Sequence, residues 1–480
     1  MKTILEHIVN NWQLDATQAD VDKYFYTYEE VDSIIDGKNC YVIGRKGAGK
    51  TAISQHILRQ RSYNIFTESL SFKHFPFNEL YAHEDRSYRK PNQYITFWKY
   101  IIYLYTCKMM AENQAIDQNF REAIKNIIPN NSPNLLSREI RKWTGVEFGA
   151  QLAEHIGKLH IKLDAAYTQN RTTWVERTNI LEDLITTYCD QCNYYIVFDE
   201  LDEDYVDSTS KDNEQYIDLL KGLFKAVQST KAIFRSSNLN IKPVIFLRDD
   251  IYGQIKDSDK NKWSDFKLEL SWTPEKIKAL LAYRISKEHG QSNMSFENAW
   301  NSIFQKNLRI YYGDNKRKQK PVFDFILINT HLRPRDFISY IKCCCEIALQ
   351  RDKSFIGWSE VKAADRKFSN YLKNELEDEI TPLIPPLDHI WRILSEMRKP
   401  IFSEADFEKA YLTYQRYHHV SIEISLSTIL ETLFEFSILG NQHKTQHNSF
   451  FFKYQHTNMT YNPGEHLVVH RGLLKALQIL

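Results

Sequence analysis

The chain is poor in glycine and holds no long apolar run. Only 15 of its 480 residues are glycine, about half the average usage of about 7%, so each position able to adopt a positive φ at no cost invites a reason. No stretch approaches the roughly 18 consecutive apolar residues of a membrane-spanning helix, and Met1-Lys2-Thr3 does not open a signal peptide. A cytoplasmic protein without a membrane partner is expected. Net charge is almost absent too: 62 Lys and Arg face 61 Asp and Glu, so no global field announces a nucleic acid or a lipid surface. A cysteine framework for metal is missing. Cys189-x-x-Cys192 has no second pair or Cys/His knuckle at matching spacing, and Cys343 to Cys345 would point three ways on one helix. Reduced, partly buried thiols are the expectation.

What is present is length and aromatic bulk. At 480 residues the chain exceeds one ordinary core, so two or three domains are expected. Apolar and charged fractions of 42% and 26% are those of a globular protein, and 28 Tyr with 27 Phe suit a helix-rich one.

The stretch VIGRKGAGKT, residues 42–51, fits the phosphate-binding spacing G-x-x-x-x-G-K-[ST]. A strand, Cys40 to Ile43, precedes it and a helix from Lys50 to about Arg61 follows. Gly44, Gly47 and Gly49 permit close backbone approach. The N–H groups of the loop, including those of Arg45, Lys46, Ala48 and Ala52, then face phosphates together with the helix N-terminus. Lys50 would reach the β and γ oxygens, and the Thr51 hydroxyl would bind Mg²⁺.

Tyr194 to Phe198 is a continuous apolar run, as a strand buried on both faces should be, and it ends in Asp199-Glu200. A nucleotide-borne Mg²⁺ keeps most of its waters and needs a carboxylate, which Asp199 supplies. Glu200 could deprotonate the attacking water. Asp202, Glu203 and Asp204 read as solvated acids. Pro243 to Leu247 is a further buried strand, closed by Arg248, which either touches the γ-phosphate or pairs with Asp249 or Asp250. Arg333-Pro334-Arg335-Asp336 precedes an apolar helix; Asp336 is a candidate cap, leaving Arg333 or Arg335 to reach phosphate. Tyr26 and Tyr28, upstream of the loop, are open to base stacking or core packing.

Strands separated by helices indicate an α/β fold, a three-layer core with a parallel sheet around the P-loop. Three helices followed by a β-hairpin close the chain in winged-helix order. A resemblance to known P-loop ATPases, carried by the same motifs, implies a P-loop NTPase core with a large helical insertion, a helical lid and that C-terminal winged helix. The boundaries read as 1–90 and 190–270 for the core, 91–189 for the inserted module, 271–380 for the lid and 385–480 for the winged helix. The lid reads as helical, interrupted by a polar, basic loop from Gly313 to Pro321. Asp22 to Ile35 reads as one short helix.

These residues resemble a known division of P-loop ATPases. Gly44 to Thr51 with Asp199-Glu200 looks like the group, including AAA+, origin-recognition-like and STAND ATPases, that places an extra strand between its two nucleotide-binding strands. Arg248 ending VIFLR is similar to the STAND sensor arginine, and RPRD at 333–336 sits where the lid's second sensor is expected. More narrowly, IGRKGAGKTAI, FDELDE, RPRDFI and VVHRGL are similar to a bacterial P-loop ATPase family often met in phage-defence settings. The resemblance implies ATP and Mg²⁺ as cofactors and phosphoanhydride hydrolysis as the reaction. It implies a nucleotide switch coupled through lid and winged helix to a protein or nucleic-acid partner, with a homo-oligomer open. The alternative is an ATP-regulated DNA-binding protein. Its support is the winged helix and two basic stretches: Arg86, Arg89, Lys90 and Lys99 with Tyr88 and Tyr94, and Lys316 to Lys320. A small-molecule kinase fits poorly, and no guanine-specifying Asn-Lys-x-Asp element is present.

Overall fold

The computed structural model describes residues 2–60, 62–73, 92–127, 174–202, 211–313, 318–446, 449–456 and 458–479. Arg86, Tyr88, Arg89, Lys90, Glu203, Asp204, Lys316 and Arg317, singled out above, lie outside them. The chain divides into two compact units, one of residues 27–46 and 50–270, the other of residues 1–26, 47–49 and 271–480.

The first unit is built on five parallel strands, β1 (Tyr41–Ile43), β2 (Ile65–Leu70), β3 (Asn193–Phe198), β4 (Ile241–Leu247) and β5 (Lys267–Glu269). Their order is β2-β3-β4-β1-β5, so β4 lies between β1 and β3. This is the additional strand that the paired motifs imply, and the α/β P-loop architecture is established by it. β3 and β4 are buried almost throughout because helices cover both faces. One of these is Asn92–Glu112, apolar nearly all round, which packs on β2, β3 and the helices Trp174–Tyr188 and Lys211–Ser236. Trp98 Nε1 donates to the Leu219 carbonyl at 2.9 Å. The two backbones approach so closely at Gly222 that a Cβ there would lie 2.6 Å from Tyr94 Cβ. Residues 92–112, at the start of what reads as an insertion, thus form part of the layer over the sheet.

In the second unit one continuous apolar core runs from Leu5 to Ile479. Helix Pro274–Glu288 starts as its sequence specifies: the Thr273 side chain caps Lys276 N–H, and Pro274 opens the first turn. Helices Phe296–Ile303, Val322–Leu327, Pro334–Gln350 and Trp358–Ile380 follow. Lys318–Pro321, within the basic loop expected at 313–321, instead form a strand, β7, paired antiparallel with β6 (Arg309–Tyr312). Ile310 alone of β6 is fully buried while Arg309 and Tyr311 face out, a period of two that a strand satisfies. Beyond Ile384 come helix Leu387–Met397, β8 (Ile401–Phe402), helices Glu404–His418 and Leu426–Glu435, then β9 (Leu439–Gln442), β10 (Phe450–Phe451) and β11 (His466–Val469). The strands pair in the order β10-β9-β11-β8. Asn462-Pro463-Gly464, a turn-forming sequence, is closed by Gly464 N–H on Asn462 Oδ1.

The helix expected from Asp22 to Ile35 is two helices, Val21–Tyr24 and Glu29–Ile35. Packing separates them. Tyr24 belongs to the second unit, where its hydroxyl meets the buried Glu288 carboxylate at 2.5 Å beside Trp12 Nε1 at 3.1 Å. Val31 and Ile34 are buried in the first. Phe25 and Tyr28 take extended backbone between them.

Candidate active site

The glycine motif forms the turn from β1 into helix Lys50–Leu58. Gly47 and Gly49 have φ of 77° and 102°, a region closed to most side chains, which is why the spacing demands glycine here. Gly44 N–H donates to Leu247 O at 3.2 Å, tying the start of the loop to the end of β4. The loop curls around Lys50, whose ammonium donates to the carbonyls of Gly44 at 2.8 Å and Arg45 at 3.1 Å. Burial pushes the Lys50 pKa down, against the attraction of Asp202, Asp249 and Asp199.

Asp199 follows β3 and is 7% exposed. Both of its oxygens are engaged: Ser54 Oγ donates to Oδ2 at 2.5 Å, and the Glu200 N–H donates to Oδ1 at 2.9 Å. Burial pushes this carboxyl up; the Ser54 hydroxyl and the Glu200 N–H pull it back. Glu200 itself has φ of 53°, a left-handed conformation that costs a non-glycine residue about 1 kcal/mol and concentrates at functional sites. Its carbonyl accepts Phe72 N–H at 3.4 Å.

Arg248, at the end of β4, forms a fork with Asp250 (Nε to Oδ1 3.0 Å, Nη2 to Oδ2 2.7 Å) and reaches Asp202 at 3.4 Å. Of the two roles left open by the sequence, the carboxylate pairing is the one present, with Asp250 rather than Asp249. Asp249 is the more enclosed of the two: burial pushes its pKa up, opposed first by Arg45.

In the second unit, Arg333 is 2% exposed. Its guanidinium meets Asp336 at 3.1 Å and Glu379 at 2.9 Å. Asp336 is the third residue of its helix rather than the cap, and it also accepts the His331 N–H at 2.8 Å. Arg335 is more open and pairs with Glu375 at 3.2 Å. The loop tip Gly47–Gly49 groups with this unit: Trp272 Nε1 donates to Ala48 O at 2.9 Å, and a Cβ on Gly47 would sit 3.3 Å from Arg335 Cβ. Tyr26 lies against Tyr283, ring centroids 5.7 Å apart, the packing role of the two considered.

Ser54, Glu375 and Glu379 escaped the sequence reading, and Asp202, read as a solvated acid, instead reaches Arg248 at 3.4 Å. Ser54 carried a signal, since it stands three residues after Thr51 and so shares its helix face. The two glutamates carried none, being forty or more positions away from their arginines.

The donor set suits a nucleotide with its own Mg²⁺. Among the described residues no three His, Cys, Asp or Glu side chains cluster to form a protein cage for a metal, whereas a largely hydrated Mg²⁺ needs only one or two carboxylates. Asp199 offers one, joined through Ser54 to the backbone carbonyl of Thr51.

Comparison with known proteins gives one family match. Residues 275–377 match the FunZ-associated C-terminal helical domain, spanning the helical part of the second unit. No match was found among curated proteins. Among solved structures, the chain is similar to the Aeropyrum pernix ORC2 protein in its ADPNP–ADP complexes at 10% identity and TM-score 0.40, covering 94% of this chain and 89% of that one. The Aeropyrum pernix ORC1 protein in complex with DNA matches at 11% identity and TM-score 0.40, with coverage of 98% and 95%. Cdc6p from Pyrobaculum aerophilum matches at 10% and 0.30, with coverage of 99% and 96%. The fold assignment rests on strand order and loop geometry, not on these distant likenesses.

Proposed function

We propose that the chain binds ATP with Mg²⁺ and hydrolyses it as a molecular switch. The observation that carries this reading is the Ser54–Asp199 hydrogen bond, which holds the first turn after the glycine loop against the acidic end of β3. In this reading the loop N–H groups of residues 44–52 hold the phosphates, and Lys50 turns from the Gly44 and Arg45 carbonyls to the β and γ oxygens. Thr51 and Asp199 hold the Mg²⁺, which supplies charge neutralisation at the phosphates. Glu200 takes the proton of the attacking water. Arg248, withdrawn from Asp250, steadies the γ-phosphate.

Of the two lid arginines we assign the phosphate contact to Arg335. It is partly exposed and has Gly47 beside its Cβ, whereas Arg333 is committed to two buried carboxylates. Four strands with three helices in the C-terminal region support the winged-helix reading of 385–480. We assign that region and the lid the coupling of nucleotide state to a partner. A role in defence against phage rests on the sequence resemblance alone.

The test is phosphate release from ATP by the purified chain, with Mg²⁺ and with excess chelator. Turnover that depends on Mg²⁺ and disappears in Lys50→Ala and Asp199→Asn is expected. Equal release by Lys50→Ala and the unaltered chain would sink the proposal.

A further inference from the structure

We infer that the β6–β7 hairpin is a binding surface for duplex DNA. Its two faces differ in how far they are covered. One is pinned to the protein: Ile310 is fully buried in the core of the second unit, and Tyr312 lies 5.9 Å from Phe325, with the Arg471 guanidinium 4.5 Å over its ring. The opposite face carries Arg309, Tyr311 and Gln319 in cross-strand register, with Tyr311 47% exposed. Lys306 and Lys318 are exposed at its two ends and Lys320 is half-buried.

Between Phe304 and Phe323 the described residues include these four cations and no carboxylate. Among the described residues none of the four forms an ion pair, and Arg309 Nε donates only to Gln319 Oε1 at 3.1 Å. Elsewhere in the unit Arg333, Arg335, Arg351, Lys353, Lys367 and Lys373 meet glutamates or aspartates. In a chain of net charge +1, a patch of unpaired cations held on a fixed ribbon is a local feature with its own field.

A two-stranded ribbon is one of the two shapes that the major groove of B-DNA admits. Here its solvent face offers a guanidinium, a phenol and a carboxamide, while Lys318 and Lys320, opposite Tyr312 and Ile310, reach solvent from the edge of the pinned face. The other place to look is the C-terminal helix Leu426–Glu435. It exposes Ser427, Thr428, Glu431 and Glu435 and contains no basic residue, so it would repel a phosphate backbone.

This inference does not depend on the nucleotide site, and its test omits ATP. A short labelled duplex is titrated with the whole chain over a range of KCl concentrations. Arg309→Ser/Lys318→Ser is compared with Lys409→Ser/Lys444→Ser, which removes the same charge from exposed positions of the C-terminal region. The hairpin variant is expected to bind tenfold or more weakly, with a log–log salt slope shallower by about 2. The control variant keeps the original slope, and thermal midpoints of both match the parent. Equal losses in the two variants, undetectable binding by the unaltered chain, or tighter binding of single strands or polyglutamate than of duplex would each overturn the assignment.

Discussion

Ser54 Oγ stands 2.5 Å from Asp199 Oδ2, a bond across 145 positions of sequence that joins the helix of the glycine loop to the end of β3. With the Glu200 N–H on the other oxygen, the carboxylate cannot rotate away from its place. Ser54→Ala therefore removes an orienting group and leaves both proposed metal-holding residues, Thr51 and Asp199, intact. Losing such a partner weakens metal-dependent function by about 10- to 100-fold. The expected result is a rise of that size in the Mg²⁺ concentration giving half-maximal ATP turnover, with nucleotide binding in chelator unchanged. An unaltered Mg²⁺ dependence would show that Asp199 is held by something else.

Glu200 directly follows the carboxylate proposed for the metal, on backbone that a glutamate adopts only at a cost. If its carboxylate takes the proton of water, Glu200→Gln keeps shape and loop contacts but loses the base. Turnover should fall by roughly 10²- to 10⁴-fold, while a fluorescent ATP analogue still binds within a few-fold of the unaltered chain. Replacement by glycine separates conformation from chemistry: it relieves the left-handed strain and should be as inactive as the glutamine variant. Retention of activity in Glu200→Gln would assign water activation to another group.

Arg333 and Arg335 are two residues apart and lead opposite lives. Arg333 neutralises Asp336 and Glu379 in the interior; burial would push its pKa down, but the two carboxylates hold it charged. Removing one member of a buried charge cluster costs about 3–5 kcal/mol, so Arg333→Ala should lower the thermal midpoint sharply whether or not nucleotide is present. Arg335 has only a half-exposed pairing with Glu375 to lose. Arg335→Ala should leave the midpoint near that of the parent and reduce ATP turnover. The reverse pattern, stable Arg333→Ala and unfolded Arg335→Ala, would overturn both assignments.

The central strands were legible because a sheet covered on both faces needs unbroken apolar runs, and Tyr194 to Phe198 and Val244 to Leu247 are such runs. The glycine loop was legible because its backbone angles exclude other residues at Gly47 and Gly49. The hairpin was not, since its short strands bury only Ile310 and its polar, basic sequence resembles that of a solvated loop. The division of residues 22–35 into two helices was hidden for another reason. Apolar spacing there is continuous, and the break is imposed by Glu288, more than 250 positions away, drawing Tyr24 into a different unit.

Glu360 offers a pH test of the second unit. Its carboxylate accepts the Gly357 N–H at 3.0 Å at the start of helix Trp358–Ile380 and pairs with Arg351 at 2.9 Å and Lys353 at 3.0 Å. Burial pushes its pKa up, but the Ser359 hydroxyl, Arg351, Lys353 and that N–H outweigh burial and hold it at about 2, below its ordinary 4.5. A depressed carboxyl stabilises the folded state above its unfolded pKa, and the contribution is lost as pH falls from about 4.5 toward 2. Glu360→Gln should thus cost on the order of 2 kcal/mol at neutral pH. Thermal midpoints of the variant and the parent should converge as the pH is lowered through that window. A gap that stays constant from neutral pH into the acid range would mean that packing, not charge, makes Glu360 stabilising.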